Sequence, residues 1–578
     1  MSQKPQSRAW RWVRLGDLLL PQETRNPQEY PRESFFYVDI SSTDSSPYRS
    51  VITPRLILGQ DAPSRARKVI RTGDVIYATT RPYLRNIALI DNKLDGQICS
   101  TGFCVLRAGT RILSEYVYYF VRSNLFLDQV LSRMRGSNYP AVSDKDVFVT
   151  QIPLPPLPVQ HAIVTILDKA SIIRGKQDNV SSLAEQVLLA LFLEVFSDPT
   201  TDLKVWKTFP LGSLGEIVSG VTKGQRLRNR DTVEVPYLRV ANVQDGYLDL
   251  SEVKTIKVPS SDIEKYQLQA GDLLLTEGGD PDKLGRGYIW NNEIEKCIHQ
   301  NHIFRVRSDQ EKVLPIYLAA LMRTSYAKDY FLRAAKRSSN LASINMSQLR
   351  AFPVPLPPLD LQRSYIESVE TLSSARFSLR SSTDQIHSLF SSLLTRAFTG
   401  ELIAEWEAAN AERIATEVAR LAQRPRLALL TLIVGSQQYH SEPIGITSLM
   451  KYAFLAQMQG TTLSQPTSRL YNFVPYHFGP FTQDLYADLK VLEAKGWITV
   501  ERTTNGFFDI SERVDISLNT ERKNEVESAL AQLSDAERAD LDAIIEKYGS
   551  LSHNELLDIV YSQYPAYASK SRLRKNHS

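Results

Sequence analysis

The feature that most constrains this chain is a duplication of domain length. Residues 136–157 read GSNYPAVSDKDVFVTQIPLPPL and residues 338–359 read SSNLASINMSQLRAFPVPLPPL. Ser137, Asn138, Pro153, Pro155 and Pro156 therefore recur 202 residues later as Ser339, Asn340, Pro355, Pro357 and Pro358. Solenoid units run about 20 to 50 residues, so a period this long belongs to a whole domain. Earlier anchors keep the same order. VRLGDL at 13–18 faces FPLGSL at 209–214, an offset of 196, and RTGDVIYATTRPYLRN at 71–86 faces QAGDLLLTEGGDPDKLGRG at 269–287, an offset of 198. Cys99 and Arg107 face Cys297 and Arg305 at the same 198, and Tyr116 faces Tyr317 at 201. An offset drifting by six residues describes two copies of one fold with small insertions.

Each proline run stops the preceding element, because proline lacks a donor and restricts the residue before it. Behind it an apolar seam opens in each copy: Val159, Ile163, Ile166, Ala170, Ile173, Val180, Ala184, Val187 and Leu191, interrupted by Gln177, then Leu361, Tyr365, Leu372, Ala375, Leu379, Ile386, Leu389 and Leu393, interrupted by Ser368 and Ser382. The shared 4,3 spacing predicts two long helices packed along their lengths as a coiled coil.

Composition excludes several classes. With 578 residues, 43% hydrophobic and 23% charged, the chain can build roughly three or four cores. The only cysteines are Cys99, Cys104 and Cys297, and MSQKPQSRAWRW offers no apolar signal core, so a reducing cytoplasmic setting is expected. No apolar run approaches the 18 or more residues of a membrane span; the longest candidates, such as LALLTLIV at 427–434, suit buried helices. The net charge of +4 leaves any nucleic-acid surface to be a local patch. Catalytic signatures are missing: no HExxH, no phosphate loop, no adenine-methyltransferase tetrapeptide. No catalytic residue is expected. Cys297, His299 and His302 form a CxHxxH cluster, but strand alternation would split the histidines between faces, so no metal is expected.

GDLLLTEGGDPDKLGRG with CIHQNHIFRVR, the VPLPPLDLQ helix entrance, LLTRAFTGEL at 393–402, and TTRPYLRN and STGFCVLRA of the first copy resemble the DNA specificity subunits of type I restriction-modification systems. The resemblance covers roughly residues 8–410. It implies an inverted pair of α/β (α+β) target recognition domains, each reading one half of a bipartite double-stranded DNA site, held apart by two antiparallel helices. It also implies docking of two modification (methyltransferase) subunits and, through them, the restriction motor nuclease subunits. S-adenosylmethionine, ATP and Mg would then sit on those partners and no cofactor on this chain. The expected boundaries are 1–157 and 201–359 for the recognition domains, 158–200 and 360–424 for the spacer helices and linker, and 425–578 for a further domain.

A helix from Val159 to Phe196 would be about 57 Å long. Recognition domains on one face of B-DNA would place half-sites about 10 base pairs apart centre to centre, leaving about six unread.

Candidate DNA contacts are loops that set Arg or Lys beside Gly, Ser, Asn or Tyr, a mixture suited to phosphates and base edges. In the first copy these are Arg65, Arg67, Lys68 and Arg71, then Arg81, Tyr83 and Arg85, then Arg133, Arg135, Ser137, Asn138 and Tyr139. In the second they are Lys223, Arg226, Arg228 and Arg230, then Lys283 and Arg286, then Arg333, Lys336, Arg337, Ser338, Ser339 and Asn340.

Beyond residue 410 nothing is duplicated. EWEAANAERIATEVARLAQ reads as a charged helical linker, and Arg426 to Gly435 opens a new core. A helix over ITSLMKYAFLAQ, a second helix before Gly-Trp, a hairpin turning at Asn505 and Gly506, two helices over 520–567 and the basic tail SKSRLRK predict a mostly helical winged-helix-like module. MKYAFLAQ, HFGPFTQDLYADLKVLEAKGWI and ELLDIVYSQYPAYA look like the antitoxin-related Panacea domain. Its role stays open between DNA binding, toxin neutralisation, clasping another subunit and passive contact. The alternative reading of the whole chain is a stand-alone DNA-binding or toxin-neutralising regulator acting through this module.

Overall fold

The structure, a computed structural model, describes residues 10–43, 52–136, 140–197, 206–223, 231–279, 284–337, 342–439, 443–504 and 512–568. The chain forms two compact units: Met1–Gly175 with Ile386–Ser578, and Lys176–Gln385.

The first unit begins with a sheet in the order Glu23–Thr24, Ala66–Val69, Ile98–Ser100, Ser34–Val38, Arg55–Leu58. Beside it Val75–Ala78 pairs with Ile87–Leu89 and Phe103–Leu106. The second unit repeats this plan. Thr232–Leu238 runs parallel to Ile298–His299, as Ser34–Val38 does to Ile98–Ser100. Leu273–Thr276 pairs with Gly287–Ile289 and Ile303–Ser308. Both copies close with a strand made by the prolines themselves: Trp12–Arg14 on Gln151–Pro153, and Thr208–Pro210 on Pro353–Pro355.

The repeated words are structural. In RTGD and QAGD, Gly73 and Gly271 take positive φ, 83° and 90°, the left-handed turn glycine adopts without penalty. Asp74 and Asp272, each 1% exposed, accept from the backbone N–H of Arg71 and Gln269 and pair with Arg107 and Arg307. This corrects the alignment of Arg107 with Arg305. The strand registers Val75↔Leu106 and Leu273↔Val306 make Arg307 the counterpart of Arg107, and Tyr37↔Ile98 beside Tyr237↔Ile298 sets Cys99 opposite His299 rather than Cys297. Like residue types two positions apart on a strand share a face, which is why matching by type slipped by two.

The tyrosine helices Ser114–Arg122 and Pro315–Met322 bury Tyr116 and Tyr317, whose hydroxyls donate to the carbonyls of Pro153 (3.0 Å) and Pro355 (2.5 Å). Gln160 and Gln362, both 0% exposed, accept from Leu113 and Leu314 N–H at the starts of these helices and donate to Pro155 and Pro357 carbonyls. One buried amide thus satisfies an orphan donor at each helix entrance.

The long helices run Leu157–Phe196 and Leu359–Thr399. In the first unit Arg174, near the middle of the first helix, lies 3.9 Å from the ring of Phe390, and Val159, Ile163, Phe390, Leu394 and Phe398 share one core. In the second unit Phe192 and Phe196 pack on Tyr365, while Gln177 donates to the Leu379 carbonyl and Thr383 hydroxyl. The pairing is antiparallel. The heptad seam, however, departs from expectation: Ile173, Val180 and Val187 are 58%, 49% and 48% exposed, and Leu389 is 58% exposed. A strict heptad drifts about 20° per repeat on a helix that does not supercoil, so positions read at 4,3 spacing leave the buried face along its length. Leu157–Phe196 is also long and apolar enough by length and composition to cross a membrane; the charged residues within it do not interrupt its mean hydropathy. Its described buried residues Val159, Ile163 and Leu167 join the first unit's core, and Phe192 and Phe196 the second's.

The first unit also holds the C-terminal domain. Helix Ala411–Ser436 passes through Pro425 without a break and buries Leu427, Leu429, Leu430, Leu432 and Ile433, so the change of domain expected at 424 falls inside one helix. Its sheet has the order Ile444–Gly445, Glu512–Leu518, Ile498–Thr504, with helices Ile446–Gln459 and Gln483–Ala494 preceding the hairpin. That is a winged-helix order. The turn at Asn505 and Gly506 and the basic tail lie outside the described residues. Four helices, Lys523–Leu530, Asp535–Tyr548, His553–Gln563 and the short Pro565–Ala568, stand where two were expected; the capping boxes at Ser534 and Ser552 start the second and third.

Candidate nucleic-acid interface

In each recognition domain the loop after the GD strand meets the loop before the prolines. In the first, Val142 N–H donates to Thr79 and Arg81 N–H to Pro140, while Arg135 and Ala141 exchange both backbone bonds. Arg81 and Arg135, both exposed, therefore rise from one short ladder. Arg81 and Arg85 adopt left-handed φ of 49° and 52° around the turn Pro82–Leu84. A non-glycine residue there costs about 1 kcal/mol or more, and the ladder with Arg85 holds it. Arg85 donates to the Arg122 carbonyl at 3.0 Å and to the Asn124 side chain. The turn presents Tyr83, 45% exposed, to solvent.

In the second domain Gly278–Gly279 pairs with Ala342–Ser343, which pairs with Lys336–Arg337. A Cβ on Gly278 would lie 2.9 Å from the Ala342 carbonyl, so the close approach requires glycine. Arg286 reaches Gln244 at 3.0 Å and borders a cleft of about 170 Å³ with Asp245, Arg323 and Lys328. Asp245 pairs with Arg323.

The other candidates separate clearly. Arg65 and Lys223 are exposed. Lys68 is not available: it is 8% exposed and spends its ammonium on the Phe103 carbonyl (2.6 Å) and Asp144 (2.5 Å). Spacing suggested a surface lysine, but Lys68 lies on the central side of the sheet, where an unpaired charge would be costly. Arg67 is half-buried on the Ala66 carbonyl, Arg71 is held by Glu23 and Asp95, and Arg133 bonds the Gln129 carbonyl of the helix before it. Arg333 is exposed and bonds the Asp329 carbonyl. Ser137, Asn138, Tyr139, Arg226, Arg228, Arg230, Lys283, Ser338, Ser339 and Asn340 lie outside the described residues. Of Lys336 and Arg337 only the strand is described.

Sequence reasoning missed the pair His302–Glu277, 2.6 Å apart at the root of the second loop, and the cations Arg323 and Lys328. The latter follow the tyrosine helix and carry no loop signature; only folding brings them to Arg286. The CxHxxH residues diverge. His299 bonds the Tyr266 and Val218 carbonyls while His302 holds Glu277. Burial pushes the Cys297 thiol up to about 12 and His299 down to about 4, as expected of interior strand residues.

Two stretches, residues 10–179 and 204–383, match the family described as the type I restriction modification DNA specificity domain, and residues 449–565 match the antitoxin SocA-like Panacea domain. The chain is 26% identical over 340 residues to the EcoKI specificity subunit of Escherichia coli K12, covering 55% of this chain and 72% of that one. It is also 26% identical over 337 residues to the StySPI specificity subunit of Salmonella potsdam, covering 55% and 72%. The solved HsdS subunit of Thermoanaerobacter tengcongensis is 32% identical, covering 68% of this chain and 98% of that chain, with a TM-score of 0.32. Since the family spans both halves of the duplication and most of the chain, this protein belongs to the DNA specificity subunits of type I restriction-modification systems and supplies their sequence recognition.

Proposed function

We propose that the two recognition domains read two unlike half-sites of one asymmetric bipartite DNA site, and that partner subunits bring the chemistry. One observation carries this reading: the same frame, GD turn, tyrosine helix and proline strand, presents a different loop pair in each copy. The first offers Arg81, Tyr83 and Arg135, the second Arg286 beside the Gly278–Gly279 ladder. Phosphate grips are blind to sequence, and discrimination comes from side chains at base edges, so unlike loops on like frames read unlike bases.

The long helices suit docking of modification subunits. Ile172 and Ile173 in the first unit, and Val180, Leu183 and Val187 in the second, are 48–59% exposed. Exposed apolar patches on such a helix mark protein contacts. Methyl transfer to adenine with S-adenosylmethionine, and ATP- and Mg-dependent cleavage, belong to those partners in this reading; the chain acts by positioning DNA. Co-purification from the native host tests it. Stoichiometric methyltransferase subunits support it, and a lone chain or a small toxin would reverse it.

The C-terminal domain favours a second, protein-directed role. Its Gln483–Ala494 helix, where a winged helix would read DNA, exposes Asp484 and Lys490 with Gln483 and Tyr486, no basic stripe. Exposed Tyr476 and Phe478 flank it. That surface suits a protein partner better than phosphates.

A further inference from the structure

Among the described residues, the loop around 469–472 of the C-terminal domain hydrogen-bonds the first recognition domain. Asn472 accepts from Thr110 N–H at 3.0 Å and donates to the Thr110 hydroxyl, and Arg469 donates to the Ala108 carbonyl at 3.4 Å. Gly109 lies between them: a Cβ there would sit 2.8 Å from the Leu18 carbonyl and 3.1 Å from the Asn472 amide. The second recognition domain keeps this loop's frame, since Asp309 N–H donates to Leu214 as Gly109 N–H does to Leu18. Its chemistry differs. Ser308, Asp309 and Gln310 replace Ala108, Gly109 and Thr110, and Asp309 pairs with Lys312.

The docked loop also faces a buried charge network of the first domain. Arg469 and Tyr567 of the C-terminal domain interact electrostatically with Arg107 and Glu23. Arg107 joins Asp74 and Glu23, and Glu23 opens the strand paired with Lys68 and Val69. Next to it Arg25 N–H donates to Arg67, and Thr101 N–H donates to Arg65. The strand paired with Glu23, Ala66–Val69, is entered directly from the exposed candidate Arg65.

We propose that the C-terminal domain is a built-in partner of the first recognition domain, docked on a loop whose chemistry the second domain does not repeat, so that its docking governs reading of the first half-site and leaves reading of the second unchanged. The consequence for DNA rests on the function proposed above; the dedicated docking does not. Coupling of this kind is a difference in affinity and has to be measured as one.

The test uses the full-length protein with the subunits that accompany it, comparing Gly109→Asp, which installs the second domain's residue, with Asn472→Ala. Peptide-level hydrogen exchange is read at residues 20–25, 107–112 and 469–473, and at 273–276 of the second domain. Binding is read on the mapped duplex and on two duplexes with one half-site scrambled. A drop in protection worth roughly one hydrogen bond, about tenfold faster exchange, is expected in the first three segments only. Affinity should fall several-fold through the first half-site, with the penalty for scrambling the second unchanged. Unchanged exchange in both variants would overturn the docking. Undocking with both half-sites weakened alike, or neither, would overturn the coupling. Absence of sequence-specific binding by the unsubstituted protein would instead sink the proposed function, and the exchange comparison would still decide the docking.

Discussion

Tyr116 of the first recognition domain and Phe398 at the end of the second long helix meet edge to face with ring centroids 5.1 Å apart, while the Tyr116 hydroxyl holds the Pro153 carbonyl. The second unit repeats the arrangement: Phe196, ending the first long helix, meets Tyr317 at 4.9 Å. Each recognition core is closed by an aromatic ring from the long helix that follows the other copy in sequence. Neither copy completes its core from its own contiguous chain.

Phe398→Ala should therefore destabilise the first unit by about 3–5 kcal/mol, the usual cost of emptying a buried phenylalanine site. Phe196→Ala should do the same to the second. Urea unfolding followed by hydrogen exchange assigns each effect to its unit, and destabilisation confined to the substituted helix alone would contradict the shared cores.

Gln160 and Gln362 should behave as helix-entrance locks. Replacing either with Leu leaves Leu113 or Leu314 N–H buried without its acceptor, at about 1–3 kcal/mol. Thermal melts of both single variants measure this. Equal stability to the parent would show that the amides are dispensable.

Much of this fold is legible in the sequence, and the failures share a cause. The duplication, the long helices and the winged hairpin follow from spacing, because proline runs, glycine turns and apolar periodicity act locally. Gln160 carries no signal of its own, since one polar residue behind PLPPL looks like a solvated helix position until Leu113 N–H arrives. Lys68 misleads for the converse reason: Asp144, which holds it, comes from a helix far along the chain. A heptad rule turns Ile173, Val180 and Val187 inward, and the structure leaves all three exposed. Arg81 and Arg135 belong to separate loops in the sequence, and only the backbone ladder at Ala141 brings them together.

Lys68 and Arg81 should separate stability from recognition. Lys68→Met is expected to lower the melting temperature of the first unit while sparing the second half-site, since it leaves Asp144 without its partner. Arg81→Ala with Arg135→Ala should leave the melt within about 0.5 kcal/mol and cost about 1–3 kcal/mol of discrimination for each base-edge hydrogen-bonded pair removed at one half-site. Competition binding with single-base variants of the mapped site reads the difference. Uniform weakening on every sequence would make these arginines phosphate ligands.

His299 should make the second unit acid-sensitive. Burial lowers its folded value to about 4, with the like charge of Arg305 assisting and carbonyl contacts from Val218 and Tyr266 opposing. The unfolded chain binds the proton near 6.5, so stability is fully present above that pH and is lost as pH falls from 6.5 toward 4, by up to about 3 kcal/mol. His299→Gln should flatten this part of the pH profile relative to the parent in urea melts. Parallel profiles would refute the assignment.

The central claim, two unlike domains reading two unlike half-sites, is tested most directly by mapping methylated adenines across the host genome with single-molecule sequencing. The proposed function predicts one asymmetric bipartite motif whose halves differ in sequence and flank an unread gap, about six base pairs for half-sites one helical turn apart. A palindromic or uninterrupted motif dependent on this chain would contradict it.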